Sequence, residues 1–487
     1  MKKSIMILLI MVILLQAFLI QESFAKSKFN KELFEKLAES KNKVPHVDIP
    51  NYERVKLDNG LTIYLVEDHT LPIIEVVGYI KGGRRQETEN VAGISDLMFT
   101  MMNTSTQNFE EEEFSKYKEL HGIDFSFSVK NDYTKFSGDA LSIDKKDMIS
   151  LMADLFQNPK FNADYFSRIK QQTLQSLLQA KTQESSLLNM YFYKTIYHNH
   201  PYSFQYDLDL RRKALANITP ASLKEFYNQN ITPNNTILGI VGDIDISKMK
   251  QLIKAEFKNW PQDKINLKKS KLKVDGKNYN KVIIINKPDA TQAKIKMGYS
   301  FFSDEFQSRI PFTIANRVYG GGDFGSRLMK NLRVKKGYVY GVHSNDSYDQ
   351  LDGDYYITTE VKPNKTYETM EAIKEEMLAI KSGKAKITDE ELFKIINRYN
   401  ALYPKKYKSK LNILSKVIYN VEIKNRKASY MNKFIKKYNG LTVEEAQKSF
   451  AKYTYPEKFL TVIVGNKEKL IPEFKKKGIK IKVIEIN

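Results

Sequence analysis

The chain has 487 residues, 42% of them hydrophobic and 12% aromatic, with only 22 glycines and 14 prolines. This composition excludes a disordered or collagen-like polymer, and a length of this order suggests about three domains. The absence of cysteine excludes thiolate metal sites and cysteine nucleophiles. The formal net charge is +21, but the lysines are scattered, with local runs such as "YPKKYKSK" (403–410) and "EFKKKGIKIK" (473–482). No motif interleaves them with aromatic residues, so no nucleic-acid partner is expected.

The first residues are expected to be a leader. Lys2 and Lys3 precede an apolar run over residues 5–20, and "QESFA" places Ser23 and Ala25 at the −3 and −1 positions of a cleavage site. Residues 1–25 therefore predict a secretory signal peptide, with 26–43 as an N-terminal extension. The alternative is an uncleaved anchor. No later apolar run approaches a bilayer span, so no stable membrane span is expected after cleavage. Export implies the periplasm in a host with two membranes, or the extracellular space in a host with one.

"ERVKLDNGLTIYLVED" predicts two strands around an Asn-Gly turn, and "PIIEVVGYIKGG" a further strand. "DFSFSVKNDYTKFSGDAL" alternates around a turn as a hairpin. "KKDMISLMADLFQN" and "ADYFSRIKQQTLQSLLQAK" carry helical spacing. Next comes "ITPASLKEFYNQNITPNNTILGIVGDID" (218–245), a helix capped by Thr219, a Pro-containing turn and a buried strand.

That unit recurs as "LTVEEAQKSFAKYTYPEKFLTVIVGNKE" (441–468). Ile218 pairs with Leu441, Thr219 with Thr442, Pro233 with Pro456, Val241 with Val464 and Gly242 with Gly465, always at an offset of 223 residues. A constant offset over a whole supersecondary unit implies two tandem homologous domains rather than three. They are expected over 44–263 and 278–487, joined by a lysine-rich linker at 264–277. The expected class is α+β, each domain a mostly antiparallel sheet with helices packed on one face.

Four stretches resemble the pitrilysin/insulinase family of inverzincin zinc metallopeptidases, in its short two-domain branch. They are "KLDNGLTIYLVED", "KGGRRQETENVAGISDLM", "HNHPYSFQYDLDLRRKALANITPASLKEFY" and "GGGDFGSRLMKNLRVKKGYVYGV". The family's catalytic motif is His-x-x-Glu-His on a helix: two imidazoles one turn apart bind Zn²⁺, and the glutamate serves as general base. In this register the histidine positions are Asp96 and Thr100, and the glutamate position is Phe99. The family's later glutamate ligand falls near Ser176. The six histidines (His46, His69, His121, His198, His200 and His343) include no pair at i, i+4, and His200 belongs to the His-Pro-Tyr of the resemblance. No zinc or other cofactor is therefore expected in this chain.

The resemblance also implies retained parts. Family members carry an Arg and a Tyr in the second domain that donate hydrogen bonds to the substrate carbonyl, and Arg333 and Tyr340 stand at that spacing. A guanidinium and a phenol can stabilise a developing oxyanion. The alternative on periodicity alone is a surface helix arginine and a core strand aromatic. Gly320, Gly321 and Gly322 fall in a loop that the resemblance places beside the substrate cleft, with positive φ or close backbone approach as the role of glycine there; the alternative is a helix-helix turn. "TKFSGDALS" (134–142) matches the strand region where the family lays an extended peptide along a sheet edge, with an ordinary sheet strand as the alternative. Together these imply the non-zinc subunit of an exported heteromeric zinc peptidase: a zinc-bearing chain of the same family as partner, peptides as substrates, and no activity alone. The alternative is a non-catalytic peptide-binding or assembly protein on a peptidase fold.

Overall fold

The computed structural model describes residues 44–263, 267, 280–322 and 324–486. The expected leader, the expected N-terminal extension and nearly all of the expected linker lie outside the described residues.

In chain order the first half contains β1 (Glu53–Lys56), β2 (Thr62–Glu67), β3 (Ile73–Lys81), α1 (Ile94–Met102), α2 (Glu111–Leu120), β4 (Asp124–Val129), β5 (Tyr133–Leu141) and α3 (Lys145–Gln157). It continues through α4 (Ala163–Thr182), α5 (Glu184–Ile196), α6 (Pro201–Phe204), α7 (Leu208–Asn217), α8 (Pro220–Asn230), β6 (Thr236–Gly242) and α9 (Ile246–Phe257). The second half contains β7 (Lys281–Asn286), β8 (Ala293–Phe301), α10 (Arg309–Asn316), β9 (Val339–Asp346), β10 (Gly353–Val361), α11 (Thr366–Lys381), α12 (Asp389–Leu402) and α13 (Lys410–Ile418). It closes with α14 (Tyr430–Asn439), α15 (Val443–Tyr453), β11 (Leu460–Gly465), α16 (Lys467–Lys476) and β12 (Ile481–Glu485). Two π-helical segments, Arg317–Gly321 and Met329–Lys335, lie between α10 and β9.

The strands form two six-stranded sheets, ordered β1-β2-β6-β3-β5-β4 and β12-β7-β11-β8-β10-β9. Pairing is antiparallel except for β2 with β6, β11 with β7 and β12 with β7. The repeat read from the sequence is visible here. Thr219 caps α8 through a capping box with Ser222, Thr442 caps α15 through one with Glu445, and each helix runs by a Pro-initiated turn into a central buried strand. The symmetry breaks at one edge, where β1 arrives by the hairpin at Asn59-Gly60 and β12 arrives after α16.

Alternation along the strands shows how the halves join. On β2, Ile63 and Leu65 pack into the first half's own helical core, while Tyr64 and Val66 face the opposite way. That opposite face is covered from the second half: Leu414, Val417 and Ile418 of α13 pack over β3 and β6. Reciprocally, α5 of the first half lays Leu188, Phe192 and Ile196 on Ile283, Ile285 and Val462 of the second sheet. Each sheet therefore carries its own helices on one face and a helix exchanged from the other half on the second. Strands buried on both faces read as continuous apolar runs, as β6 and β11 do. Under α5, Lys296 of β8 donates to Asn189 Oδ1 at 2.9 Å and lies 3.8 Å from the Tyr356 ring centre; burial pushes its ammonium pKa down to about 7.

Candidate functional site

Helix α1 carries the positions where the resemblance calls for metal ligands. Gly93 starts it in the left-handed region (φ 92°), and buried Glu87 accepts from the Gly93 and Ser95 amides at 2.7 and 3.3 Å. Asp96 lies in the first turn and is held by two guanidiniums: Oδ1 accepts from Arg84 at 2.7 Å and Oδ2 from Arg211 at 3.4 Å. Phe99 is buried and stacks on Phe127, ring centres 4.7 Å apart. Thr100 donates to the Asp96 carbonyl at 2.8 Å. Helix α4 packs beside α1 and carries Ser176, whose hydroxyl donates to the Gln172 carbonyl at 2.9 Å.

The family register thus brings the four positions onto two adjacent helices, but the donor set does not fit zinc. Asp96 is already neutralised by two cations that would repel a metal, Phe99 offers no base, and neither hydroxyl is a useful Zn²⁺ ligand. Among the described residues one other metal-like group exists: His121, Asp144 and Asp147, where α2 ends and α3 begins. It contains a single imidazole, whose Nδ1 lies 2.7 Å from Asp144, while Asp147 accepts from the Tyr117 hydroxyl at 2.8 Å. His200 is structural. It caps α6 by accepting from the Tyr202 amide, and the Tyr202 hydroxyl donates to Asp132 at 2.6 Å.

Arg333 and Tyr340 meet. The Arg333 guanidinium lies 4.7 Å from the Tyr340 ring centre and 4.6 Å from that of Phe324. Tyr340 is on β9, the outer strand of the second sheet, and is 84% exposed. It is therefore not the core strand aromatic that periodicity alone allows. No ion pair reaches Arg333 among the described residues.

The structure decides between alternatives at two places. None of Gly320, Gly321 and Gly322 has positive φ. Close packing demands them instead: a Cβ on Gly320 would lie 2.8 Å from Ser344 Oγ, and one on Gly322 would lie 2.7 Å from the Arg317 carbonyl oxygen. The strand within 134–142 is not a sheet edge. β5 is paired with both β3 and β4, and β4 is the free edge. Hairpin periodicity cannot say which strand of a pair lies outermost.

Three cavities line the seam between the halves. One of about 590 Å³ runs from Arg84 and Asp96 past Asp132 and Tyr133 to Asp349, Tyr419 and Lys424. A second, of about 490 Å³, shares Tyr133 and Tyr419 with it. A third, of about 990 Å³, shares Arg309, Arg426 and Phe434 with the second. Neither the Arg333–Tyr340 pair nor the three glycines line any of them. Sequence reasoning missed Arg84 and Arg211 as partners of Asp96; the tandem arginine just before α1 was the available signal.

Comparison with known proteins agrees with this architecture. The family model described as insulinase (peptidase family M16) matches residues 62–206, and the one described as peptidase M16 inactive domain matches 217–399. The zinc protease PqqE of Helicobacter pylori is 24% identical over 358 residues, covering 71% of this chain and 78% of that protein. The non-peptidase homolog YmxG of the same organism is 21% identical over 286 residues, covering 58% and 65%. The crystal structure of a peptidase M16 inactive domain from Pseudomonas fluorescens superposes with a TM-score of 0.75 at 23% identity, covering 85% of this chain and 98% of that one. The chain belongs to the insulinase (M16) peptidase family, as a two-domain member.

Proposed function

We propose that this chain is the non-zinc subunit of an exported heteromeric peptidase, periplasmic in a host with two membranes and extracellular in a host with one. It binds peptide substrates and presents Arg333 and Tyr340 to a scissile bond whose metal is held by a zinc-bearing chain of the same family. The observation that carries this reading is the contrast between two sites. On α1 the metal positions are filled by an ion-paired carboxylate, a core aromatic and a back-bonded threonine. On β9 and the helical segment before it, the two donors remain together, and the phenol is exposed. A guanidinium and a phenol fixed side by side offer N–H and O–H donors to an oxygen that gains negative charge. A core role does not require Tyr340 to be exposed. A second reading, a non-catalytic peptide-binding or assembly protein, is supported by the similarity to YmxG of Helicobacter pylori, a non-peptidase homolog.

The test is native purification from the host with mass spectrometry of co-eluting chains, followed by peptide cleavage assays. A stoichiometric partner carrying His-x-x-Glu-His is expected. The isolated chain is expected to be inactive, and Arg333→Ala in the complex is expected to lower kcat by about 10²-fold, as removal of one oxyanion donor does. Unchanged cleavage by Arg333→Ala overturns the donor role and favours the scaffold reading. A lone homo-oligomer overturns the heteromer.

A further inference from the structure

The second seam cavity is lined by five cations and no carboxylate: Lys135 of β5, Arg309 of α10, Lys406, Lys416 of α13, and Arg426. Four of these side chains are half-buried and Lys406 is exposed; such a cluster of unneutralised charge is costly, because the like charges repel and partial burial removes some of their water. The usual remedy, an acidic side chain, is missing here. No ion pair reaches Lys135, Arg309, Lys406 or Lys416 among the described residues. Arg426 lies 4.0 Å from Asp304, whose carboxylate is already taken by Lys424 at 2.5 Å. The cations stack on tyrosines instead: Lys416 on Tyr419 at 4.5 Å, Lys406 on Tyr399 at 4.7 Å and Arg309 on Tyr348 at 4.8 Å. Burial, then repulsion from Arg309, Arg426, Lys424 and Lys406, pushes the Lys416 ammonium pKa down to about 8.

We propose that this cavity binds the acidic side chains of a peptide, two or more carboxylates with apolar residues between them. The proposal deepens the peptide-binding reading above and rests on it. Size and surface fit that ligand. A volume of about 490 Å³ admits a few residues, and tyrosines supply apolar walls between the charges. These tyrosines pack on one another, Tyr133 on Tyr419 at 5.5 Å and Tyr403 on Tyr407 at 4.9 Å, and so do not form an open platform for stacking nucleic-acid bases. The route fits too. Tyr133 and Tyr419 belong equally to the cavity that reaches Asp96, so an extended chain can occupy both.

The test uses the mature chain alone, so its outcome is independent of whether a zinc-bearing partner exists. Fluorescence anisotropy would follow a labelled ten-residue peptide of Glu, Asp and Leu at low ionic strength, beside its Gln/Asn and Lys counterparts. The acidic peptide is expected to bind at least tenfold more tightly than the neutral one. Lys416→Gln and Arg309→Gln are each expected to weaken it five- to tenfold, and Lys416→Arg to retain it. Lys416→Gln removes a repelled charge, so its melting temperature should equal or exceed that of the parent, which separates lost binding from lost folding. Equal binding of acidic and neutral peptides overturns the proposal. So does an equal loss in Lys476→Gln, on α16 outside the cavity, because that result reports only the net charge. Displacement of the peptide by inorganic phosphate at lower concentration than by unlabelled peptide assigns the cavity to phosphate instead.

Discussion

Asp352 lies just before β10, with Asp349 and Asp354 as neighbouring carboxylates. It is buried, and burial, reinforced by the two neighbouring carboxylates, raises its pKa from 3.8 to about 7; its Oδ1 accepts from the Gly353 amide at 2.8 Å. The folded state therefore keeps a proton that the unfolded chain releases above its ordinary carboxyl pKa. Stability from this group falls as pH rises from about 4 to about 7 and is constant above that. Asparagine preserves the acceptor and removes the titration. Thermal melts of Asp352→Asn and the parent are expected to coincide near pH 4 and to diverge up to pH 7, with the variant more stable. A shift of about three pKa units corresponds to a ceiling on the order of 4 kcal/mol. Melts that stay parallel across that range would refute the assignment. Asp349, raised to about 6 chiefly by burial, acts in the same direction but is common to both proteins. At this scale the sequence was informative about loss and silent about replacement. It placed Asp96, Phe99 and Thr100 in the motif. It could not show that Arg211, on a distant helix, shares the Asp96 carboxylate with Arg84, because that contact depends on how α1 and α7 are brought together.

Helix α13 is an element whose place periodicity could not assign. Its apolar face covers a sheet more than 100 residues earlier in the chain, and the sheet is shaped to receive it. At Gly239 of β6 a Cβ would lie 2.5 Å from Ile418 Cδ1 and 3.1 Å from Leu414 Cδ2. Gly239→Val is expected to push α13 outward and to destabilise the protein by about 1–3 kcal/mol, the usual cost of overpacking. Ile418→Ala alone is expected to cost about 2–5 kcal/mol through its cavity. Together the two changes should cost less than their sum, since the valine fills part of the space. Additive losses in chemical denaturation would show that α13 does not rest on Gly239. Other elements were legible. The strands of both hairpins in the first half, the Thr219 and Thr442 caps and the buried strands β6 and β11 all carry local signatures and appear in the structure. The edge role of β4 was not legible, because edge and inner strands of a hairpin share the same alternation.

For the whole molecule, the exchange of α5 and α13 makes the halves mutually dependent, although each has a complete six-stranded sheet. Without its partner, each half exposes an apolar sheet face and an apolar helix, a combination that aggregates. Residues 44–263 and 280–487 produced separately are expected to be insoluble or oligomeric. Produced together, they are expected to form a soluble 1:1 complex with the circular dichroism of the intact chain. Two monomeric, cooperatively melting halves would contradict this.

The sequence by itself determined the duplication, the α+β class, the family resemblance and the loss of the zinc ligands. Each of these is written in residue identity and in short-range spacing that the backbone converts directly into a cap, a turn or a strand. Tertiary structure alone decided which helix covers which sheet, which strand forms the edge, that Arg333 and Tyr340 stack in the open, and that five cations from distant segments converge on one cavity without a carboxylate. Those features depend on contacts between residues far apart in sequence, whose energies come from packing and burial that no local pattern encodes.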